Sequence, residues 1–462
     1  MFSKEVYINR RNNLKRSFNS GILLFLGNTE LPMNYPANTY RFRQDSSFLY
    51  FFGLNIPNLA GVIDLDEGKD IIFGNDVDIE DIIWTGSLPS LKDNALKAGI
   101  NQTDVFSELI KYITSAIKKG RKIHYLPPYR AENKILLSEL VNVATQRVKE
   151  NSSLELLKAV IMLREIKGKE EIEHIDSIMD IGFEMHTTAM KMAVGGVFER
   201  EIAGKIEGIA LSHGGTVSFP VILSKHGEIL HNHNHENLLT TFDLLLCDAG
   251  FESTMGYATD HTRTFPVGGK FTHTQKDIYE IVLEANNKAT SITKPDITYQ
   301  SVHLEVAKII AQGLVDVGLM KGNINNIVEA GAHAMFFPHG LGHMMGIDVH
   351  DMEDLGENFV GYGDDVKRSK QFGIEYLRLG KKLKSGFVIT NEPGIYFIPA
   401  LIDKWKGEGL HKEFINFDKV EDYKKFGGIR LEDDLLVTDN GCRILGNKRI
   451  PITPDELAEY IG

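Results

Sequence analysis

The sequence predicts an α+β protein in two parts, a small α/β domain over residues 1–155 and a larger domain over 156–462 in which helices and strands are interleaved. Three observations lead there. A chain of 462 residues is too long for one ordinary hydrophobic core. Up to about residue 150, the short apolar runs ILLFL, FLYFFGL and DIIFG alternate with turn-rich segments and one helix-like stretch. Beyond that point come long amphipathic segments and strand-like runs that carry acidic residues, a mixture expected of layered helices and strands.

In chain order, GILLFLG at Gly21 to Gly27 reads as a buried strand, since it falls far short of the roughly 20 apolar residues a membrane-spanning helix needs. The opening segment MFSKEVYINRRNN is charged and has no apolar stretch of the secretory kind, so a cytoplasmic protein is expected. The domain boundary is placed near residue 155, just before LREIKGKEEIEHIDSIMDIG. There Ile172, Ile175 and Met179 share one helical face, with Glu170 and Glu171 near the helix start. Helices are expected at about 169–193, 197–213, 274–291 and 299–319, and strands in LLLCDAG, YATDHTRTFPV, GFVITNEPGIYF and GGIRLEDDLLVT. No short-period repeat is visible.

Composition narrows the function classes. Apolar residues make up 42% and charged residues 25%, the balance of a globular enzyme with sizeable cores. The net charge of −12 argues against nucleic acid and anionic membrane as partners, because both require a basic face. Two distant cysteines, Cys247 and Cys442, exclude a disulfide framework and read as buried fillers. A small or peptide substrate fits better.

The chemistry lies in acidic residues set into apolar runs. Asp248 ends LLLCDAG, Asp260 sits in YATDHTRTFPV, Glu392 is enclosed by Val388, Ile389, Ile395 and Tyr396, and Glu432 follows Leu431 in GGIRLEDDLLVT. Buried carboxylates are costly unless paired or bound to metal, so four of them written into strands point to a cation site. The neighbouring Asp433 and Asp434 read as strand ends facing water. FFPHGLGHMMGIDVHD supplies His339, His343 and His350 at spacings of four and seven, in a glycine-rich segment where backbone can approach a ligand closely. Four carboxylates and an imidazole suit two divalent ions of the manganese, cobalt, iron or zinc kind. A water between two such ions about 3.5–4 Å apart is acidified enough to attack an amide at neutral pH.

These motifs, DAG with YATDHTRTFP, HGLGHMMGIDVHD, TNEPGIYF and GGIRLEDD, resemble the pita-bread metallopeptidases, in the branch that holds Xaa-Pro aminopeptidase and Xaa-Pro dipeptidase. YRFRQDSSFLYFFGL resembles the N-terminal domain of that branch, so the likeness spans nearly the whole chain. It implies a pita-bread (creatinase/aminopeptidase-like) catalytic domain, two divalent ions per subunit with manganese favoured, proline-containing peptides as substrates and a homodimer or homotetramer. It places the metal ligands on Asp248, Asp260, His343, Glu392 and Glu432, with Asp260 and Glu432 bridging. His231, His339 and His350 match histidines that contact substrate, and Arg430 matches an arginine that steadies the bridging carboxylates. Glu392 is expected to shuttle the proton and His350 to stabilise the oxyanion.

One departure stands out: Asp260 follows Asp248 by twelve positions where the family's pair is usually eleven apart. A hairpin turn in FESTMG can take up the extra residue without moving either carboxylate. His233 and His235 alternate with His231, so a strand would align all three on one face, although such a run is more often a solvated rim. His213, His226 and His261 belong to no constellation. The main reading is an Xaa-Pro aminopeptidase. The alternative is the dipeptidase, prompted by the long stretch GYGDDVKRSKQFGIEYLRLGKKLKSGFVITNEPGIYFIPALIDKW, in which Arg378 falls where dipeptidases hold the substrate carboxylate. Methionine aminopeptidase, metal-free creatinase-type enzymes and a non-catalytic binding protein on the same fold are more distant alternatives.

Overall fold

The computed structural model describes residues 1–363 and 366–461. The chain divides into two compact units, Met1–Glu165 with 352–359, and Ile166–Asp351 with 360–462. The first unit therefore keeps the helix Leu154–Arg164, which runs past the boundary read near residue 155.

The first unit is built on a five-stranded mixed sheet, in spatial order 102–104, Lys69–Phe73, Ala60–Asp64, Ile22–Leu26 and Ile123–Tyr125. The three inner strands are antiparallel and the outer two join in parallel. Ile22, Leu24, Val62, Ile71 and Phe73 pack there against Leu109, Ile113 and Leu137 from the covering helices. FLYFFGL departs from the strand-like reading and forms the helix Ser46–Phe52. All seven of its residues are buried, and a short run buried on every side has no periodicity to separate helix from strand. The termini decide it: the Asp45 side chain accepts from the Phe48 N–H, and Gly53 closes the helix at φ +66°.

The second unit has the expected pita-bread fold. The helices Lys169–Met192, Glu199–Ser212, His273–Ile292 and Tyr299–Asp316 lie close to their expected positions. One antiparallel sheet holds His261–Pro266, Leu244–Ala249 and Ile222–Ser224, and another holds Val388–Asn391, Asp433–Val437 and Cys442–Ile444. A third pair joins Gly394–Tyr396 to Gly428–Arg430. Thr262 bridges to Glu432, which stitches the first of these groups to the last motif in sequence. Among the described residues, no helix is long and apolar enough to cross a membrane.

Candidate active site

Local backbone geometry explains where the site residues sit. Asp248 lies within its strand, but Asp260 precedes a strand, Glu392 falls between Asn391 and Gly394, and Glu432 falls between Arg430 and Asp433. Three of the four carboxylates thus occupy breaks in the strands, where a side chain is freed from the alternation of the pleat. The extra residue between Asp248 and Asp260 leaves the pairing intact, because register runs unbroken from Leu244↔Pro266 to Ala249↔His261. It is absorbed in the turn beyond, where the Ser253 N–H donates to Tyr257 O at 2.9 Å.

The glycine-rich histidine segment lies against the strand that leads to Glu392. Thr390 N–H donates to His343 O and Glu392 N–H to Leu341 O, at 3.0 and 2.9 Å. A Cβ on Gly342 would meet Thr390 O at 2.2 Å. That glycine serves close packing of two backbones.

Asp260, His343 and Glu432 bring one ligand atom each to within 4.8 Å of one another, all three buried. His343 Nε2 lies 3.4 Å from Asp260 Oδ2 and 3.8 Å from Glu392 Oε1. Its Nδ1–H donates to Met344 O at 3.0 Å, which leaves the Nε2 lone pair facing the carboxylates, as a ligand requires. Asp248 is held by Arg430, whose Nη2 donates to Oδ2 at 2.5 Å, while Asp248 Oδ1 is buried without a hydrogen-bond partner. Asp248 and Glu392 flank the central triad.

Charge is badly balanced here. Burial, then the charges of Glu432 and Asp248, drives the Asp260 carboxyl well above the usual range. Burial and Glu392 do the same to Glu432. Although the Glu392 side chain retains 18% exposure, enclosure pushes its carboxyl up to about 7 against the pull of Arg430 and Arg378. Four converging carboxylates with one arginine among them, and an oxygen left orphaned, make a donor set that a divalent cation completes. These residues fit the group expected from the sequence.

Around this set runs a chain of hydrogen bonds. His339 Nδ1–H donates to Gly340 O and its Nε2 accepts from Tyr396 OH, both at 2.8 Å. Tyr396 OH in turn accepts from Arg430 Nη1 at 2.8 Å, and Arg430 Nε donates to Thr262 Oγ1. Thr262 then donates to Glu432 Oε2 at 2.7 Å. Burial pushes His339 down to about 3, so its ring is neutral and suited to this relay. His350 is half-buried, its ring centroid 4.2 Å from that of His343. His231 sits at the exposed rim, its pKa lowered by partial desolvation and by the charge of Arg430. Arg378 is half-buried, and its charge bears on His231, His339, His343 and Glu392. Asp364 and Asp365, in the stretch that prompted the dipeptidase alternative, lie outside the described residues.

The sequence reading missed several residues. Tyr396 and Thr262 belong to quoted motifs, but Tyr396 links Arg430 to His339, which lie on different motifs, and Thr262 links Arg430 to Glu432 from 168 and 170 residues away. Asp433 and Asp434, read as facing water, are both buried, with 1% and 0% exposure. Asp433 pairs with Arg263 and Arg449, and Asp434 Oδ2 accepts the Asp260 N–H at 2.9 Å. The run Glu432 to Asp434 was the signal, since three acids inside an apolar strand-like segment cannot all face solvent. Segment 231–237 forms no strand, so His233 and His235 build no second site with His231: His233 is exposed and His235 Nδ1–H donates to Leu223 O. His213 and His226 are exposed, and His261 is buried beside His186.

Comparison with known proteins agrees with this geometry. Residues 173–439 match Metallopeptidase family M24, and residues 7–125 match the aminopeptidase P N-terminal domain. The chain belongs to metallopeptidase family M24. It is 30% identical over 447 residues to the Xaa-Pro dipeptidase of Homo sapiens, covering 95% of this chain and 88% of that protein. It is 33% identical over 422 residues to a probable Xaa-Pro aminopeptidase of Fusarium vanettenii, covering 90% and 86%. Among solved structures, Escherichia coli aminopeptidase P matches with a TM-score of 0.82 at 28% identity, covering 100% of this chain and 98% of that one. A zinc-substituted form of that enzyme in complex with product matches at 0.81. The family member is a metallopeptidase whose relatives include both Xaa-Pro aminopeptidases and Xaa-Pro dipeptidases.

Proposed function

We propose that the chain removes the residue that precedes proline at the N-terminus of peptides, with two divalent ions, manganese favoured, held by Asp248, Asp260, His343, Glu392 and Glu432. The observation that carries the metal reading is the buried cluster itself, with carboxylates driven up in pKa and no sufficient positive partner. Likeness to aminopeptidase P along both chains supports the choice of N-terminal cleavage. When bound, the ions supply an acidified water as nucleophile and polarise the scissile carbonyl.

The remaining work falls to this chain's own groups. Glu392, with a carboxyl near neutrality, takes the proton from the attacking water on a carboxylate oxygen and returns it to the leaving proline nitrogen. His350 donates to the carbonyl oxygen as charge develops there. His339, fixed by Gly340 O and Tyr396 OH, forms with His231 the walls that receive the proline ring. Arg430 holds Asp248 and, through Thr262, Glu432, so that neither carboxylate swings away. A dedicated site is needed because the bond before proline is a tertiary amide with no N–H for a general peptidase to bind. The expected assembly is a homodimer or homotetramer in the cytoplasm.

A second reading, the dipeptidase, is favoured by one observation: Arg378 stands close enough to the site for its charge to act on Glu392. A guanidinium there can hold the carboxylate of a dipeptide. The purified enzyme with added manganese, given Ala-Pro and Ala-Pro-Ala, decides between them by product. Faster release of alanine from the tripeptide supports the aminopeptidase, and turnover confined to the dipeptide overturns it.

A further inference from the structure

Lys167 and Asp351 form an ion pair sealed from solvent: Lys167 Nζ lies 2.9 Å from Asp351 Oδ2, with 1% and 2% of the two side chains exposed. Such a pair is a poor source of stability, because desolvation of both charges offsets their attraction and apolar residues of similar volume serve as well. What it supplies is a fixed position for the two backbone segments that carry it.

Both segments lead to the site. The Lys167 N–H donates to Gly386 O at 2.9 Å, in the turn that feeds Val388–Asn391, the strand that aligns His343. The Asp351 N–H donates to Met344 O at 2.9 Å, closing the loop 344–351. His343 stands at one end of that loop and His350 at the other, immediately before Asp351. The loop packs onto the pair itself, since a Cβ on Gly346 would meet Asp351 Oδ2 at 2.6 Å and Lys167 Cε at 2.9 Å. Gly346 O also accepts from Ala258 N–H, two residues before Asp260. The His343 end is fixed independently, by Thr390 Oγ1 on its N–H and Thr390 N–H on its carbonyl, each at 3.0 Å. The His350 end is tied through Asp351, whose N–H is held by Met344 O and whose carboxylate is held by Lys167.

We propose that Lys167 is a positioning residue: by gripping the Asp351 carboxylate it sets the His350 imidazole against His343 for the reaction, without touching substrate. The inference rests on the reading of His350 as the oxyanion donor. It goes beyond that reading by assigning the residue that places it.

A double-mutant cycle tests it. Lys167→Met is expected to lower kcat by about 10- to 100-fold, with KM changed less than about twofold and metal content per chain unchanged. His350→Ala alone is expected to lower kcat by about 100- to 1000-fold. In the His350→Ala background, adding Lys167→Met should change kcat by less than about twofold, because a residue that acts only through His350 has nothing left to place. Effects that multiply instead would overturn the positioning role and leave His350 as assigned. If His350→Ala alone retained more than about a tenth of kcat, the reading of His350 itself would fall, and the single variant reports that separately. Should Lys167→Met not fold, the uncharged pair Lys167→Met with Asp351→Leu takes its place, since it leaves no buried charge alone, and the same non-additivity is expected. A second readout needs no turnover. In the metal-free protein the His350 ring-proton resonance, identified by its absence from His350→Ala, should move in Lys167→Met; an unmoved resonance contradicts the proposal.

Discussion

Two buried charge clusters, one in each unit, follow opposite rules. In the N-terminal unit, Arg11 is 1% exposed yet fully employed: Nε donates to Asp70, Nη1 to Phe51 O and Nη2 to Ala98 O, at 2.8–2.9 Å. Asp64, 0% exposed, accepts from Arg121, Tyr112 and the Glu67 N–H. Burial alone would raise its carboxyl, but those hydrogen bonds outweigh burial and hold it below the usual range. In the second unit, Asp260 and Glu432 are buried and Glu392 is partly enclosed, and the carboxyls of all three are pushed up. These N-terminal charges are satisfied within the protein, whereas the site's carboxylates are left short of partners. The difference marks where an external cation belongs.

The comparison breaks most visibly on substitution. Asp260→Ala and Glu432→Ala are each expected to abolish turnover while the metal-free protein keeps its melting temperature or gains a little, since like-charge repulsion is relieved. Retention of more than about a tenth of wild-type kcat/KM, a cost below about 1.4 kcal/mol, would contradict the assignment. Arg11→Met should do the reverse. It is expected to cost about 2–5 kcal/mol of stability, read by urea unfolding, because two buried carbonyls lose their donor and Asp70 keeps only Lys15, while kcat of the folded enzyme stays at the wild-type value.

Smaller effects sharpen the picture within the site. His350→Ala should lower kcat by about 100- to 1000-fold with metal content unchanged, and His343→Ala should lose metal instead; swapped outcomes would mean the two histidines exchange roles. If the dipeptidase reading holds, Arg378→Ala should slow Ala-Pro hydrolysis by about 10- to 150-fold, the loss of a charge-assisted contact of roughly 1.5–3 kcal/mol, and leave Ala-Pro-Ala unchanged. Equal change on both substrates would remove Arg378 from the carboxylate role.

The smallest effect is one of pH. Glu392 carries a carboxyl raised to about 7, above its ordinary value of 4.5. A raised carboxyl contributes stability that is complete below the unfolded pKa and is lost as pH climbs through the folded one. In metal-free protein, Glu392→Gln should therefore match wild type near pH 4.5 and become progressively more stable than it up to about pH 7, levelling beyond. Paired thermal melts check this, and a gap that widened toward acid would contradict it.

How much of this was legible before the fold was known depended on whether a signal was local. The helices Lys169–Met192 and Tyr299–Asp316 announce themselves by periodicity. Asp248, Asp260, Glu392 and Glu432 announce themselves because an acid in an apolar run is locally anomalous. FLYFFGL does not, since burial on all sides erases periodicity. Tyr396, Thr262 and Asp434 escaped because what they touch lies on other motifs: Thr262 meets Glu432 170 residues away, and Asp434 meets the Asp260 N–H across 174. The Lys167–Asp351 pair, 184 residues apart, is of the same kind. Chain pairing creates those contacts, and no residue spacing encodes them.

Calorimetric titration of metal-free protein with manganese at constant pH decides whether this carboxylate cluster is built to be completed by two divalent ions. Saturation at two ions per chain is expected, with release of protons from the raised carboxyls in two buffers of different ionisation enthalpy and loss of stoichiometric binding in Asp260→Ala. Binding that is absent, or that persists unchanged in Asp260→Ala, would contradict it.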